Sequence, residues 1–141
     1  MPSDPPTDVP GVDWDDLRRR AAEMARHSYA PYSGVRVGAA AVTDDGRVVE
    51  GCNVENASTG IGICAEVNLA GTLVSTGGGR LVAMAVVAGD GLPIAPCGRC
   101  RQFLYEFGGD DLLIELEDGI AALGDLLPHA FGPADVGERR G

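Results

Sequence analysis

The chain has 141 residues, 21 acidic against 11 basic, for a formal net charge of -10, with 45% apolar and 23% charged residues. That length and balance suit one globular domain. The acidic balance disfavours a phosphate backbone as partner, and no apolar run approaches the roughly 20 residues that span a bilayer.

The first residues, MPSDPPTDVPG, are rich in proline and aspartate. Residues 1–12 are expected to be disordered. They lack a positive segment and an apolar segment, so no signal peptide is read and a cytoplasmic location is expected. Asp13 is a helix N-cap, and Leu17, Ala21, Met24 and Ala25 give a helix through about Ser28 one apolar stripe. Arg18 to Arg20 read as a solvated face of it. Val35 to Thr43 reads as a strand, DDGR as a turn and Val48 to Val54 as the returning strand. A loop, NASTGIG, leads to a helix from Cys64 to about Ser75, stopped by TGGGR. Leu81 to Ala88 is an apolar run of the kind buried on both faces of a sheet. A second helix runs from Cys97 to about Phe107, followed by a strand in DLLIELED, a short fifth strand near Ile120 and a helical turn at LGDLLP. The domain is expected over 13–131, with a flexible tail over 132–141. The order implies an α/β fold: a mixed five-stranded sheet with helices on both faces. If the strands at Leu81 and Leu112 run parallel, the two cysteine-bearing helices share one face and begin at the same end of the sheet, where ligands bind.

The four cysteines are Cys52, Cys64, Cys97 and Cys100. Three readings compete. A thioredoxin-like pair explains Cys97 and Cys100 but leaves Cys64 and Glu66 idle. A closed four-thiolate zinc site needs Cys52, which strand alternation turns toward the core. An open site uses Cys64, Cys97 and Cys100, with a water in the fourth position. It places thiolates at two helix N-termini, and Glu66 two residues from one ligand can handle that water's protons. Taken alone, a glutamate early in a helix is simply favourable to the helix dipole. His27 and His129 have no motif partner.

CAE at Cys64 to Glu66 followed by PCGRC at Pro96 to Cys100 resembles the zinc-deaminase signature, in its form with cysteine first. YAPYS at Tyr29, VGAA at Val37, GCNVENAS at Gly51 and PCGRCRQ at Pro96 are similar to the short, homotetrameric cytidine deaminases, from about Tyr29 to Phe131. The resemblance implies Zn²⁺ on Cys64, Cys97 and Cys100, and a water that adds to C4 of a cytosine ring. Glu66 would move its proton to N3. It also implies base contacts from the backbone around Ala65 and from Asn56, and ribose contacts from Asn53 and Glu55, which strand alternation puts on one face. Phe131 matches an aromatic that reaches a neighbouring subunit's pocket. The implied partner is a small nucleoside, and the implied assembly a homotetramer.

Three positions depart from the family pattern. Val35, beside the pocket, stands where an aromatic is usual, Thr59 where tyrosine is usual, and Val67 where arginine is usual. Three thiolates on a zinc ion leave one net negative charge, and an arginine at 67 could donate to them. Its replacement leaves helix dipoles, Arg99, Arg101 or Asn68 to do so. An apolar residue after CAE also resembles the blasticidin S deaminases. A deaminase of a modified cytosine nucleoside and a non-catalytic zinc-stabilised nucleoside-binding module are therefore the alternatives to a cytidine and deoxycytidine deaminase.

Overall fold

A computed structural model of the chain describes residues 11–139. Most of the segment expected to be disordered, 1–12, lies outside the described residues. Helix α1 (Trp14–Ala25) opens under Asp13, whose carboxylate accepts the Asp16 backbone N–H at 3.0 Å. It ends at Ala25, short of the expected Ser28, and the Arg26, His27 and Ser28 N–H groups close the end with tighter bonds to Glu23, Met24 and Ala25. β1 (Val37–Thr43) and β2 (Val48–Cys52) form the expected hairpin, with Gly46 in its turn at φ +86°. α2 (Ala65–Ser75), β3 (Leu81–Ala88), α3 (Gly98–Gly108), β4 (Leu113–Leu116), β5 (Gly119–Ala122) and the short α4 (Leu123–Leu126) follow.

The sheet order is β2-β1-β3-β4-β5, with β3 and β4 parallel and the other neighbours antiparallel. Side-chain alternation along β3 feeds two cores. Ala83, Ala85 and Val87 pack with Ala40 under Leu17 and Ala21 of α1. Met84 and Val86 pack with Ala39, Ala41, Val49 and Ile114 under Leu69 and Leu73 of α2 and Leu104 of α3. Both faces are covered, as the apolar run at β3 implies.

Small residues bring the layers close. A Cβ on Gly51 of β2 would lie 2.6 Å from both the Ala65 carbonyl oxygen and the Leu69 nitrogen, so glycine lets α2 sit directly on the strand. Because β1 reverses between them, β2 and β3 run the same way. Their following helices, α2 and α3, therefore start at the same end of the sheet.

Two local expectations change. Arg18 is not a solvated residue of a basic run: its Nε and Nη2 donate to the two carboxylate oxygens of Glu115 on β4, at 2.8 and 2.7 Å. Burying Glu115 against α1 demands a partner, and a bidentate guanidinium supplies one. In the expected loose tail, Pro133–Glu138 forms a short helix, α5. Proline at its first turn and the Gly132 N–H donating to Asp135 at 2.8 Å start that helix.

Candidate metal and active site

Cys64 and Cys97 are the N-cap residues of α2 and α3, with extended backbones at φ -73° and -66°, and Cys100 lies one turn into α3. No side chain caps either helix start. The sulfurs thus stand at the positive ends of two helices that begin side by side. All three lie within 4.8 Å of one another. Cys52 is half-buried and outside this group, so the four-thiolate reading fails. A redox pair leaves the third sulfur unexplained.

The donor set suits zinc. Zinc takes thiolates in a compact tetrahedral shell, and three thiolates leave a fourth position open. The crowding also calls for a cation. Burial pushes the Cys100 thiol well above its usual range, and the Glu66 carboxylate and the neighbouring sulfurs add to it. For Cys97 burial acts the same way, but the Cys100 backbone N–H and the other two thiols outweigh it and lower its pKa. Three such groups become thiolates together when a metal cation balances them.

Glu66, in the first turn of α2, is 4% exposed. Burial raises its carboxyl above the ordinary range, opposed in part by its own backbone N–H and the Cys100 thiol. It shares a cavity of about 150 Å³ with Cys64, Ala65, Cys97, Cys100 and Asn53. Val37, Ile94 and Ala95 complete the lining. These three were not expected from sequence. Ile94 and Ala95 directly precede PCGRC, and that adjacency was the available signal.

The structure brings Asn53 to the sulfurs but not Glu55 or Asn56. Those two line a neighbouring cavity of about 320 Å³ with Tyr32, Ser33, Thr59 and Gly62. The regular strand β2 ends at Cys52, just before these residues. Beyond it Val54 bridges both Tyr29 and Ile63, and Asn53 and Glu55 on either side of it both hydrogen-bond the segment from Tyr32 to Val35. Asn53 is braced by its surroundings: Oδ1 accepts from the Val37 N–H at 2.9 Å and from the Ser28 hydroxyl, and Nδ2 donates to the Val35 carbonyl at 2.9 Å. Glu55 accepts the Tyr32 and Ser33 backbone N–H groups at 2.9 and 3.1 Å, and the Ser33 hydroxyl. The Ser33 hydroxyl and these amides hold the Glu55 carboxyl below its usual range.

Val35 is exposed and lines neither cavity, and Phe131 is exposed beside His129, Asp135 and Arg139. Of the residues considered for offsetting the thiolates, Asn68 instead donates to the Cys52 carbonyl at 2.7 Å. Arg101 donates to the Pro96 and Leu126 carbonyls at 2.8 and 3.1 Å. Both are claimed by backbone oxygens that would otherwise go unpaired.

Clustered thiols and a buried carboxyl at paired helix starts define a zinc-dependent hydrolytic class. The family model for the cytidine and deoxycytidylate deaminase zinc-binding region matches residues 13–116. A cytidine deaminase of Mycobacterium tuberculosis is 54% identical over 132 residues, covering 94% of this chain and 99% of that protein. The crystal structure of cytidine deaminase from Mycobacterium tuberculosis superposes with a TM-score of 0.84 at 57% identity, over 86% of this chain and 98% of that one. That from Burkholderia pseudomallei gives 0.78 at 42% identity, over 85% and 100%. The chain belongs to the cytidine and deoxycytidylate deaminase family.

Proposed function

We propose that the protein hydrolyses cytidine and deoxycytidine to uridine and deoxyuridine, releasing ammonia. The observation that carries this reading is the meeting of Cys64, Cys97, Cys100 and Glu66 in one cavity. Zinc held by the three cysteines supplies a Lewis acid that lowers the pKa of a water. Glu66 would take one proton of a water whose oxygen adds to C4 and deliver it to N3, then pass the remaining hydroxyl proton to the amino group, so that the C4–N bond breaks and ammonia leaves. A carboxyl raised by burial suits this exchange, because its proton affinity lies closer to neutral pH.

The side chains toward the sugar retain capacity for it. An amide nitrogen has two donors, and Asn53 Nδ2 makes one hydrogen bond within the protein. A carboxylate offers about four acceptor positions, and three are filled at Glu55. One donor and one acceptor remain for ribose hydroxyls. The Ala65 backbone and Asn56 orient the base.

The active form is a homotetramer. Tyr29, Ile61, Ile63, Phe103 and Phe131 are large and exposed on a single chain, which supports burial between copies. Phe131 then reaches a neighbouring pocket. Four free cysteines fit the reducing cytoplasm, and among the described residues no helix is long and apolar enough to cross a membrane.

The test is turnover. Zinc-replete protein incubated with cytidine is expected to release uridine and ammonia in equal amounts. Absence of product from both cytidine and deoxycytidine would overturn the reading. Light scattering on the same sample is expected to give four chain masses.

A further inference from the structure

We infer that Arg99 is a positioning residue for the zinc site, holding Cys64 and offsetting the surplus negative charge of the three thiolates. The inference rests on the reading of Cys64, Cys97 and Cys100 as zinc ligands. Arg99 lies in the first turn of α3, between the two cysteines of PCGRC, yet its guanidinium crosses to the start of α2. Its Nη2 donates to the Gly62 carbonyl at 3.1 Å and lies 3.8 Å from Cys64 Sγ, within reach of a hydrogen bond to sulfur. Among the described residues no other cationic side chain makes a hydrogen bond to one of the three sulfurs.

Charge arithmetic explains the need. Three thiolates and one zinc ion leave a net negative charge, with the Glu66 carboxyl alongside. Excess negative charge weakens the metal as a Lewis acid. The two helix starts offset part of this through their unpaired N–H groups. Val67, at i+3 from Cys64, has no donor to add. A guanidinium is permanently charged and has five donors in a planar fork. One nitrogen can therefore serve both the Gly62 carbonyl, just ahead of α2, and the sulfur of the residue that opens that helix.

The second contact fixes the role. By gripping the loop before Cys64 from the first turn of α3, Arg99 joins the two ligand segments. The guanidinium acts on the zinc only through Cys64, which makes it a positioning residue and not a catalytic one.

The experiment measures zinc affinity by competition with a chromophoric chelator for the wild type, Arg99→Gln and Arg99→Glu. It adds the near-ultraviolet thiolate-to-metal band of the cobalt-substituted proteins and the unfolding midpoint of each metal-free protein. Removing a partner that orients a ligand typically costs about 10- to 100-fold in metal affinity. Arg99→Gln is expected at the low end of that range, Arg99→Glu at the high end, with a shifted cobalt band in both and metal-free midpoints equal to wild type. Equal zinc affinity in all three proteins with an unmoved band would overturn the inference. So would a metal-free midpoint that falls in step with affinity, because the arginine would then serve packing alone. A wild-type protein that fails to bind one zinc per chain through thiolates would instead overturn the zinc reading itself.

Discussion

The metal end and the sugar end of the cleft are built on different principles. Cys64, Cys97, Cys100 and Glu66 sit at the first turns of two helices pressed onto a sheet, with Cys100 and Glu66 buried. Glu55, Asn56, Tyr32 and Ser33 sit on exposed loops that hold one another by hydrogen bonds. Rigid secondary structure places the reacting groups, whose spacing must be accurate. Loops place the groups proposed for recognition, which stay largely exposed on a single chain.

Substitutions at the two ends should separate accordingly. Cys100→Ala is expected to have the largest effect, loss of both zinc and turnover, read by metal analysis of the purified protein. Retention of one tightly held zinc by that variant would remove Cys100 from the ligand set. Glu66→Gln should keep zinc and lose turnover by about 10²- to 10⁴-fold, the usual contribution of a positioned acid–base group. If its kcat matched wild type, another group would have to carry the proton.

At the sugar end the losses should be smaller and fall on KM. Glu55→Ala removes a charged acceptor worth about ten- to a hundred-fold in kcat/KM, with zinc content unchanged. A purely kcat effect would place Glu55 in the chemistry instead. Ser33→Ala should be smallest at neutral pH and visible in acid. Glu55 has its pKa lowered chiefly by the Ser33 hydroxyl, so its charged form persists below the ordinary glutamate range and is lost as pH falls through the lowered value. Without that hydroxyl, the rise of KM on acidification should begin at higher pH. A pH profile of KM identical to wild type would mean that the backbone amides of Tyr32 and Ser33 suffice.

The contrast also explains what could be read in advance. Apolar periodicity and glycine punctuation marked the hairpin, the doubly buried strand at Leu81 to Ala88 and the two cysteine-bearing helices, because these depend on local pattern. The clustering of Cys64, Cys97 and Cys100 was legible because C-A-E and C-x-x-C each confine two functional groups to one helix turn. The bracing of Asn53 and Glu55 by the segment from Tyr32 to Val35 was not. It depends on contacts from Asn53 and Glu55 to residues about 20 positions earlier, which no local pattern marks. Nor did the pattern of charges along α1 predict that Arg18 would pair with Glu115, 97 positions away.

Residue order alone determined the α/β class, the two helix starts that carry the sulfurs and the acid beside them, since each is a short-range property of the chain. Only the tertiary structure decided which residue answers the missing arginine at position 67. Arg99, Arg101 and Asn68 are all chemically able to donate to a thiolate. Two of them are drawn away by carbonyl oxygens of Cys52, Pro96 and Leu126 that packing leaves within reach. Arg99 alone is carried by α3 across to Cys64, because parallel β2 and β3 bring the starts of α2 and α3 together.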